Sequence, residues 1–89
     1  MERIVKKVKI KSAQGLHARP AAIFVKAANK YLSDILIKKD DEVIDAKSII
    51  NILSLALEPD TEIELIIEGE DSAEALKELE KILEESEPR

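Results

Sequence analysis

The sequence predicts an α+β fold in which an antiparallel sheet is covered on one face by helices. Segments of alternating apolar and polar residues, typical of half-buried strands, are separated by segments whose apolar residues recur at helical spacing. Along the 89 residues, the four strands and three helices follow the order β-α-β-β-α-β-α. Because this order mixes hairpin and crossover connections, an antiparallel sheet with helices on one side is its natural packing.

The strands are predicted from a period of two. Residues 3–11 alternate apolar side chains with lysines, and residues 62–68 alternate isoleucine and leucine with glutamates until Gly69 breaks the pattern. Between them, residues 35–37 predict the second strand and residues 43–44 the third, joined by a hairpin loop. We expect the isoleucines and leucine of 62–68 to point into the core and the glutamates to face outward.

The helices are predicted from apolar residues three and four positions apart. The first covers residues 18–32, and the second covers residues 49–57 between an N-cap at Ser48 and a stop at Pro59. The third opens at Asp71 or Ser72. The expected buried stripes are Ala21, Val25, Ala28 and Leu32 in the first helix, and Leu76, Leu79 and Leu83 in the last.

Composition favours one small cytoplasmic domain spanning residues 1–89, with residues 86–89 frayed. The hydrophobic content of 45% is sufficient for a single core. There is no cysteine, so neither a disulfide nor a thiolate metal site can form, and a reducing compartment fits. No stretch resembles a signal peptide or a membrane span, so we expect no membrane insertion.

Charge divides the chain into two unequal halves. Residues 1–40 contain ten Lys and Arg against three Asp and Glu, a balance of +7, whereas residues 41–89 contain four against sixteen, a balance of −12. The only histidine, His17, lies in the basic half, which suits an anionic ligand or an acidic partner surface. The alternative is that the lysines and glutamates simply cover exposed strand and helix faces.

Residues 15–22, Gly-Leu-His-Ala-Arg-Pro-Ala-Ala, place His17 where a loop meets a helix. Neutral imidazole is a nucleophile near physiological pH, and the start of a helix presents unpaired N–H groups to an anion. Arg19 supplies a guanidinium that suits phosphate oxygens, and Pro20 is tolerated in a first helical turn. These residue types indicate an imidazole that carries a phosphoryl group. The alternative is a helix-capping or surface histidine, and a metal site is disfavoured because no second His or Cys is present.

Residues 49–57 are apolar around most of the helical circumference. Because a helix on a sheet buries only one face, the remainder predicts an exposed apolar patch, which usually marks a partner site. The alternative is a helix buried more completely than its length suggests.

These motifs give the chain a resemblance to the histidine-containing phosphocarrier (HPr) family of the phosphoenolpyruvate-dependent sugar phosphotransferase system. The resemblance spans residues 3–85 and is anchored by Gly-Leu-His-Ala-Arg-Pro-Ala at 15–21 and by Ala-Lys-Ser-Ile-Ile at 46–50. Leu-Ser-Leu at 53–55 and Glu-Gly-Glu-Asp at 68–71 also match. The family resemblance implies an HPr-like open-faced β-sandwich, with a four-stranded antiparallel sheet covered on one face by three helices. The sequence does not reveal the oligomeric state, and a monomer is the default expectation.

The resemblance also implies the chemistry. His17 accepts a phosphoryl group on Nδ1 from phosphorylated Enzyme I and passes it to sugar-specific IIA domains, without a cofactor and without turnover of its own. Arg19 pairs with the phosphate, and the backbone N–H groups of Ala18 and Arg19 receive its oxygens. Ser48 corresponds to the serine that an HPr kinase/phosphorylase modifies in many relatives, a signal read by a catabolite-control transcription factor. The implied docking patch consists of Ile49, Ile50 and Leu53.

The chain departs from the family pattern around its second helix. Ala56 stands where glycine is common, and Glu-Pro-Asp at 58–60 replaces a stretch that usually contains glycine. These changes bear on partner selectivity rather than on His17. Two other functions therefore stay open: a regulatory interaction module that acts through phosphorylation of Ser48, and an engineered stable scaffold that retains the motif.

Nucleic-acid binding is disfavoured. Single-stranded RNA is usually bound by aromatic side chains on which its bases stack. Phe24 and Tyr31 are the only aromatic residues of the chain, and both lie in the predicted first helix.

Overall fold

The structure is a computed structural model that describes residues 2–11 and 18–84. The four strands form one antiparallel sheet in the order β1-β4-β2-β3, covered on one face by three helices, which confirms the predicted α+β fold. The elements are β1 (Arg3–Lys9), α1 (Ala18–Ala28), β2 (Asp34–Lys39), β3 (Glu42–Asp45), α2 (Ile49–Ser54), β4 (Glu62–Glu68) and α3 (Ser72–Glu84).

The core lies between the sheet and the helices. The central strand β4 turns Ile63, Leu65 and Ile67 inward, and all three are buried, as the period of two predicts. The helices contribute buried side chains to the same cluster, including Phe24 of α1 and Leu79 of α3. Each helix therefore lies on the sheet through one apolar face.

The opposite face of the sheet carries oppositely charged residues on adjacent strands. The register of β1 with β4 sets three basic residues against three acidic ones, Arg3 against Glu68, Lys7 against Glu64 and Lys9 against Glu62. Directly opposed charges of unlike sign stabilise an antiparallel pair modestly. Arg3, Lys7 and Lys9 thus offset the charge of the β4 glutamates across this face.

The first helix is shorter than predicted and ends at Ala28 rather than at residue 32. The Asn29 side-chain amide donates to the carbonyl oxygens of Val25, at 2.9 Å, and Lys47, at 3.1 Å. From Lys30 onward the backbone N–H groups bond three residues back instead of four, so the α-helix stops. Leu32, which was expected in the buried stripe, is 83% exposed. The buried residues of α1 are Ala21, Phe24, Ala27 and Ala28, with Val25 only half-buried.

The second helix ends at Ser54 rather than at residue 57, because Ala56 adopts a left-handed conformation with φ of 52°. The first strand ends at Lys9 rather than at residue 11. Ile10 still exchanges backbone hydrogen bonds with Asp60 and Thr61 there, but Asp60 is also left-handed, with φ of 68°, so the regular ladder stops.

The third helix begins at Ser72, one of the two predicted starts. Its stripe is shifted slightly from the expected one, since Ala75, Leu79 and Leu83 are fully buried while Leu76 is only half-buried. The hairpin between β2 and β3 is confirmed as a two-residue turn at Asp40 and Asp41.

Candidate functional site

The first turn of α1 carries the described part of the predicted phosphoryl site. The helix begins at Ala18, with Arg19 exposed and Pro20 half-buried in its first turn, as predicted. His17 precedes this turn in the chain and lies outside the described residues. The first turn contains no acidic residue. A positive side chain beside the positive end of a helix dipole does not stabilise the helix, so helix stability does not account for Arg19.

The outer face of α1 is mixed apolar and basic. Burial of Ala21, Phe24 and Ala28 turns Ile23, which is 53% exposed, and Lys26 towards the outside. The sequence analysis did not identify Ile23 as a candidate contact residue. The available signal was its position away from the Ala21–Phe24–Ala28 face, together with its apolar side chain.

The end of α1 is fastened to the start of α2. Besides the Asn29 contact with Lys47, the Lys47 ammonium donates to the carbonyl oxygen of Tyr31 at 2.8 Å. Ser48 follows Lys47 directly, so this serine lies near the last turn of α1. The eleven residues of α1 span about 16 Å at 1.5 Å per residue, which places Ser48 roughly one helix length from the first turn.

Ser48 is the N-cap of α2, as predicted. Its backbone is extended (φ −110°, ψ 120°), its hydroxyl oxygen accepts from the Asn51 amide nitrogen at 3.3 Å, and its carbonyl oxygen accepts from Ile52 at 3.1 Å. Ser48 is half-buried. A phosphate on this hydroxyl would lie at the positive end of its own helix, so modification would not oppose the local electrostatics.

The predicted docking residues divide into two groups. Ile50 is 71% exposed and Leu53 is 43% exposed, whereas Ile49 is half-buried and packs against the core. The exposure expected for two of the three residues is therefore confirmed, and Ile49 contributes mainly to packing. Ile52, on the inner face of the same helix, is fully buried.

The end of α2 is held by a lysine from the sheet. The Lys39 ammonium, at the last residue of β2, donates to the Leu55 carbonyl oxygen at 3.2 Å. Because β2 returns from the end of α1 towards its start, Lys39 and Leu55 lie at the end of the molecule where α1 begins. Ser48 lies at the other end, where α1 finishes.

The Asp71 carboxylate stabilises the end of the molecule that contains Ser48. The Asp71 side chain accepts hydrogen bonds from the Ser33 hydroxyl at 2.6 Å and from the backbone N–H groups of Leu32 and Ser33 at 2.8 and 2.9 Å. These hydrogen bonds hold the pKa of Asp71 below its usual range, and the one from the Ser33 hydroxyl has the largest effect.

A second carboxylate ties the loop that follows α1 to α3. Glu78 accepts from the Lys30 ammonium at 2.9 Å and from the Tyr31 hydroxyl, and these bonds lower the pKa of Glu78. The hydrogen bond to the charged carboxylate raises the pKa of Tyr31 to about 12. At neutral pH the Glu78 carboxylate stays charged and the Tyr31 hydroxyl stays neutral, so these contacts serve to stabilise the structure.

Neither a metal cluster nor a membrane-spanning helix is found in the described part of the chain. Within residues 2–11 and 18–84, no three His, Asp or Glu side chains come together in a way that could hold a metal ion. None of the helices described there is long and apolar enough to cross a bilayer.

The described residues form a small open-faced α+β sandwich with an exposed arginine in the first turn of α1. The family model described as the phosphorylation site of the HPr component of the phosphotransferase system matches residues 4–85. The HPr-like protein Crh of Bacillus subtilis is 46% identical over 76 residues, which are 85% of this chain and 89% of Crh. The chain belongs to the HPr family.

Two solved structures show the same fold. A crystal structure of the phosphocarrier protein HPr from Bacillus anthracis superposes with a TM-score of 0.88 at 42% identity, covering 91% of this chain and 96% of that one. A crystal structure of Crh from Bacillus subtilis, described as a dimer with a swapping domain, gives 0.76 at 43% identity, covering 94% and 97%.

Proposed function

We propose that this protein is a phosphoryl carrier of the sugar phosphotransferase system, with His17 as the residue that carries the group. The supporting observation is Arg19, an exposed cation in the acid-free first turn of α1, two residues after His17 in the same motif. His17 Nδ1 attacks the phosphorus held by phosphorylated Enzyme I, and the bond to the donor atom breaks as the N–P bond forms. A IIA domain then takes the group by the same exchange.

The site favours transfer over retention. The N–H groups of Ala18 and Arg19 and the dipole of α1 stabilise a surface phosphate by only about 0.3–1 kcal/mol, and the Arg19 guanidinium adds a charge-assisted hydrogen bond. These interactions orient the phosphoryl group without trapping it. The partners supply the opposing nucleophile and the in-line geometry, so the carrier is not an enzyme by itself and needs no cofactor.

The partner surface consists of exposed apolar side chains with cations near them. Ile50 and Leu53 of α2 are joined by Ile23 of α1, and Arg19 and Lys26 lie on the exposed face of α1. Exposed apolar side chains with basic residues on the neighbouring helix suit an acidic docking surface on Enzyme I and on IIA domains.

The decisive experiment is incubation with Enzyme I and phosphoenolpyruvate, followed by intact-mass measurement. The expected result is a single added phosphate that is lost in acid, absent in His17→Ala and formed more slowly in Arg19→Ala. An acid-stable adduct, or phosphate retained by His17→Ala, contradicts the proposal. If neither the parent protein nor His17→Ala gains phosphate, the proposal fails.

A second candidate is a regulatory module that acts through Ser48. The N-cap position of Ser48 and the identity to Crh favour it. Phosphate on Ser48 would place up to two negative charges beside the exposed Ile50 and repel acidic partners, while a catabolite-control transcription factor would bind the modified form. An HPr kinase/phosphorylase with ATP should give an acid-stable adduct that is absent in Ser48→Ala. The retained His17 favours the carrier over a purely regulatory role.

The carrier acts as a cytoplasmic monomer in this proposal. A monomer leaves both α1 and α2 free to meet partners one at a time. The described Crh dimer supplies the alternative. Native mass spectrometry at micromolar concentration should give the monomer mass, and a concentration-dependent dimer contradicts this part of the proposal.

A further inference from the structure

Helix α2 is too short to be stable by itself. It has six residues, whereas isolated helices need on the order of 12–15 residues to form in water. Its geometry is therefore set by what holds its two ends. Ser48 caps the first end, and the Lys39 ammonium contacts the Leu55 carbonyl oxygen at the second.

The second end lacks the residue that usually completes a helix. Helices commonly finish with a glycine in the left-handed conformation, because a Cβ disfavours that backbone. Here Ala56 occupies it, with φ of 52° and its N–H donating to the Leu53 carbonyl oxygen at 3.2 Å. A lysine that hydrogen-bonds a terminal carbonyl also opposes the negative end of the helix dipole. The Lys39 contact thus offsets the strain at Ala56.

The turn that Lys39 holds is the turn that presents Leu53. The Leu53 carbonyl oxygen accepts from the Ala56 N–H, and the Leu55 carbonyl oxygen accepts from the Lys39 ammonium. The Leu55 side chain is buried. If this turn unwinds, the 43% exposed Leu53 side chain loses its fixed position beside Ile50.

We propose that Lys39 is a positioning residue for partner docking, which acts by fixing the last turn of α2. The inference rests on the proposed function, since it takes the Ile50 and Leu53 face to be the surface that meets Enzyme I. Lys39 acts from the inner side of the turn and touches neither the partner nor the phosphoryl group.

The test compares Lys39→Met with Lys38→Met in the Enzyme I reaction. Lys38 is the neighbouring half-buried lysine, but it pairs with Glu64 in the sheet register and belongs to the opposite face. Both variants remove one positive charge. Lys39→Met should raise the KM of Enzyme I for this protein about three- to tenfold, the range expected for losing a charged hydrogen bond at a helix end. The kcat should stay within about twofold, because the phosphoryl chemistry is untouched.

A rescue variant separates positioning from direct contact. In Lys39→Met/Ala56→Gly, the left-handed turn no longer depends on the lysine, so KM should return to within about twofold of the parent value. Amide hydrogen exchange at Leu55 and Ala56 should accelerate in Lys39→Met and recover in the double variant. Ile67→Val, a core change at the opposite end of β4 from Lys39, serves as the control for general destabilisation and should leave KM unchanged.

Three results overturn the inference: Lys39→Met behaving like Lys38→Met, Ile67→Val raising KM equally, or Ala56→Gly failing to restore docking. The last would mean that Lys39 contacts the partner itself. Failure of the proposed function looks different, because the parent protein would then accept no phosphate from Enzyme I at all. The exchange measurement would still report whether Lys39 fixes the turn.

Discussion

The two ends of the molecule are stabilised in different ways. The Ser48 end, formed by loops 29–33, 45–48 and 69–71, is held by side chains that bind backbone groups from distant parts of the chain. The α1-start end, formed by loops 40–41 and 55–61, contains all three of the left-handed non-glycine residues found in the described ranges, Asp40, Ala56 and Asp60.

The difference places firm anchoring and backbone strain at opposite ends. Strained backbone tends to persist at functional sites, where surrounding structure compensates for it. Here it lies at the end where α1 begins, which is also the end at which the proposed carrier chemistry takes place. Ser48, by contrast, lies at the firmly anchored end. Replacing glycine by alanine at the Ser48 end should therefore lower stability, and replacing alanine by glycine at the α1-start end should raise it.

The largest effect is expected from Gly69→Ala at the Ser48 end. Gly69 has φ of 154°, and an added Cβ would lie 2.6 Å from the Ser33 Cα and 2.8 Å from its Cβ. Because backbone must move to relieve this overlap, the substitution should reduce the free energy of unfolding by about 2–4 kcal/mol. Urea denaturation measures it, with the exposed neighbour Glu70→Ala as control. Parent-like stability would show that this end is not tightly packed.

The next effect is a pH dependence that originates at Asp71. Its pKa is lowered in the folded protein, chiefly by the Ser33 hydroxyl, so its contribution is complete above the ordinary range of an aspartate and is lost as the pH falls through the folded value. Stability should therefore decline below about pH 4. The decline should be shallower in Asp71→Asn, although Glu78, whose pKa is also lowered, keeps part of it.

The control for the acid titration is Asp41→Asn, which changes an exposed carboxylate in the β2–β3 turn. Thermal denaturation between pH 2 and 7 follows all three proteins. An Asp71→Asn curve that parallels the parent curve would show that the Asp71 cluster does not anchor the Ser48 end.

A smaller effect is expected from Ser48→Ala. The substitution removes the hydroxyl that accepts from the Asn51 N–H, and losing such an N-cap costs about 1 kcal/mol. Ser54→Ala is the matched control on the same helix, because the Ser54 hydroxyl only donates to the Ile50 carbonyl and should change stability by less than about 0.5 kcal/mol. Equal losses in both variants would contradict a capping role for Ser48.

What the sequence could predict was local. Alternation fixed which residues of β4 face the core, and Ser48 was identified as a cap from its position before an apolar run. The predicted ends of the first two helices were several residues too late, because the backbone conformation of Ala56 and contacts between distant parts of the chain are not visible in the periodicity. Asp71 holds Leu32 from 39 positions away, and Lys39 holds Leu55 from 16 positions away. No window of neighbouring residues contains both partners of such a contact.

The candidate site shows the same division. The exposure of Ile50 and Leu53 followed from an apolar circumference on a helix that can bury one face. The partial burial of Ile49 and the exposure of Ile23 depend on how α1 and α2 pack together, which periodicity does not report. His17 and the beginning of its motif stay predictions, because they lie outside the described residues.

The smallest expected effect has the opposite sign and lies at the α1-start end. Ala56→Gly removes the Cβ from a left-handed residue, which gains about 1–2 kcal/mol, and gives back part of it through the greater freedom of glycine in the unfolded chain. The net result should be a stabilisation of about 0.5–1 kcal/mol. Urea denaturation can resolve it, with Ala22→Gly in the exposed face of α1 as the control that should destabilise by about 1 kcal/mol. If Ala56→Gly also destabilises, the left-handed turn is not strained and the contrast between the two ends fails. If it stabilises, introducing alanine at residue 69 and glycine at residue 56 moves stability in opposite directions. That result would separate close packing at one end from stored strain at the other.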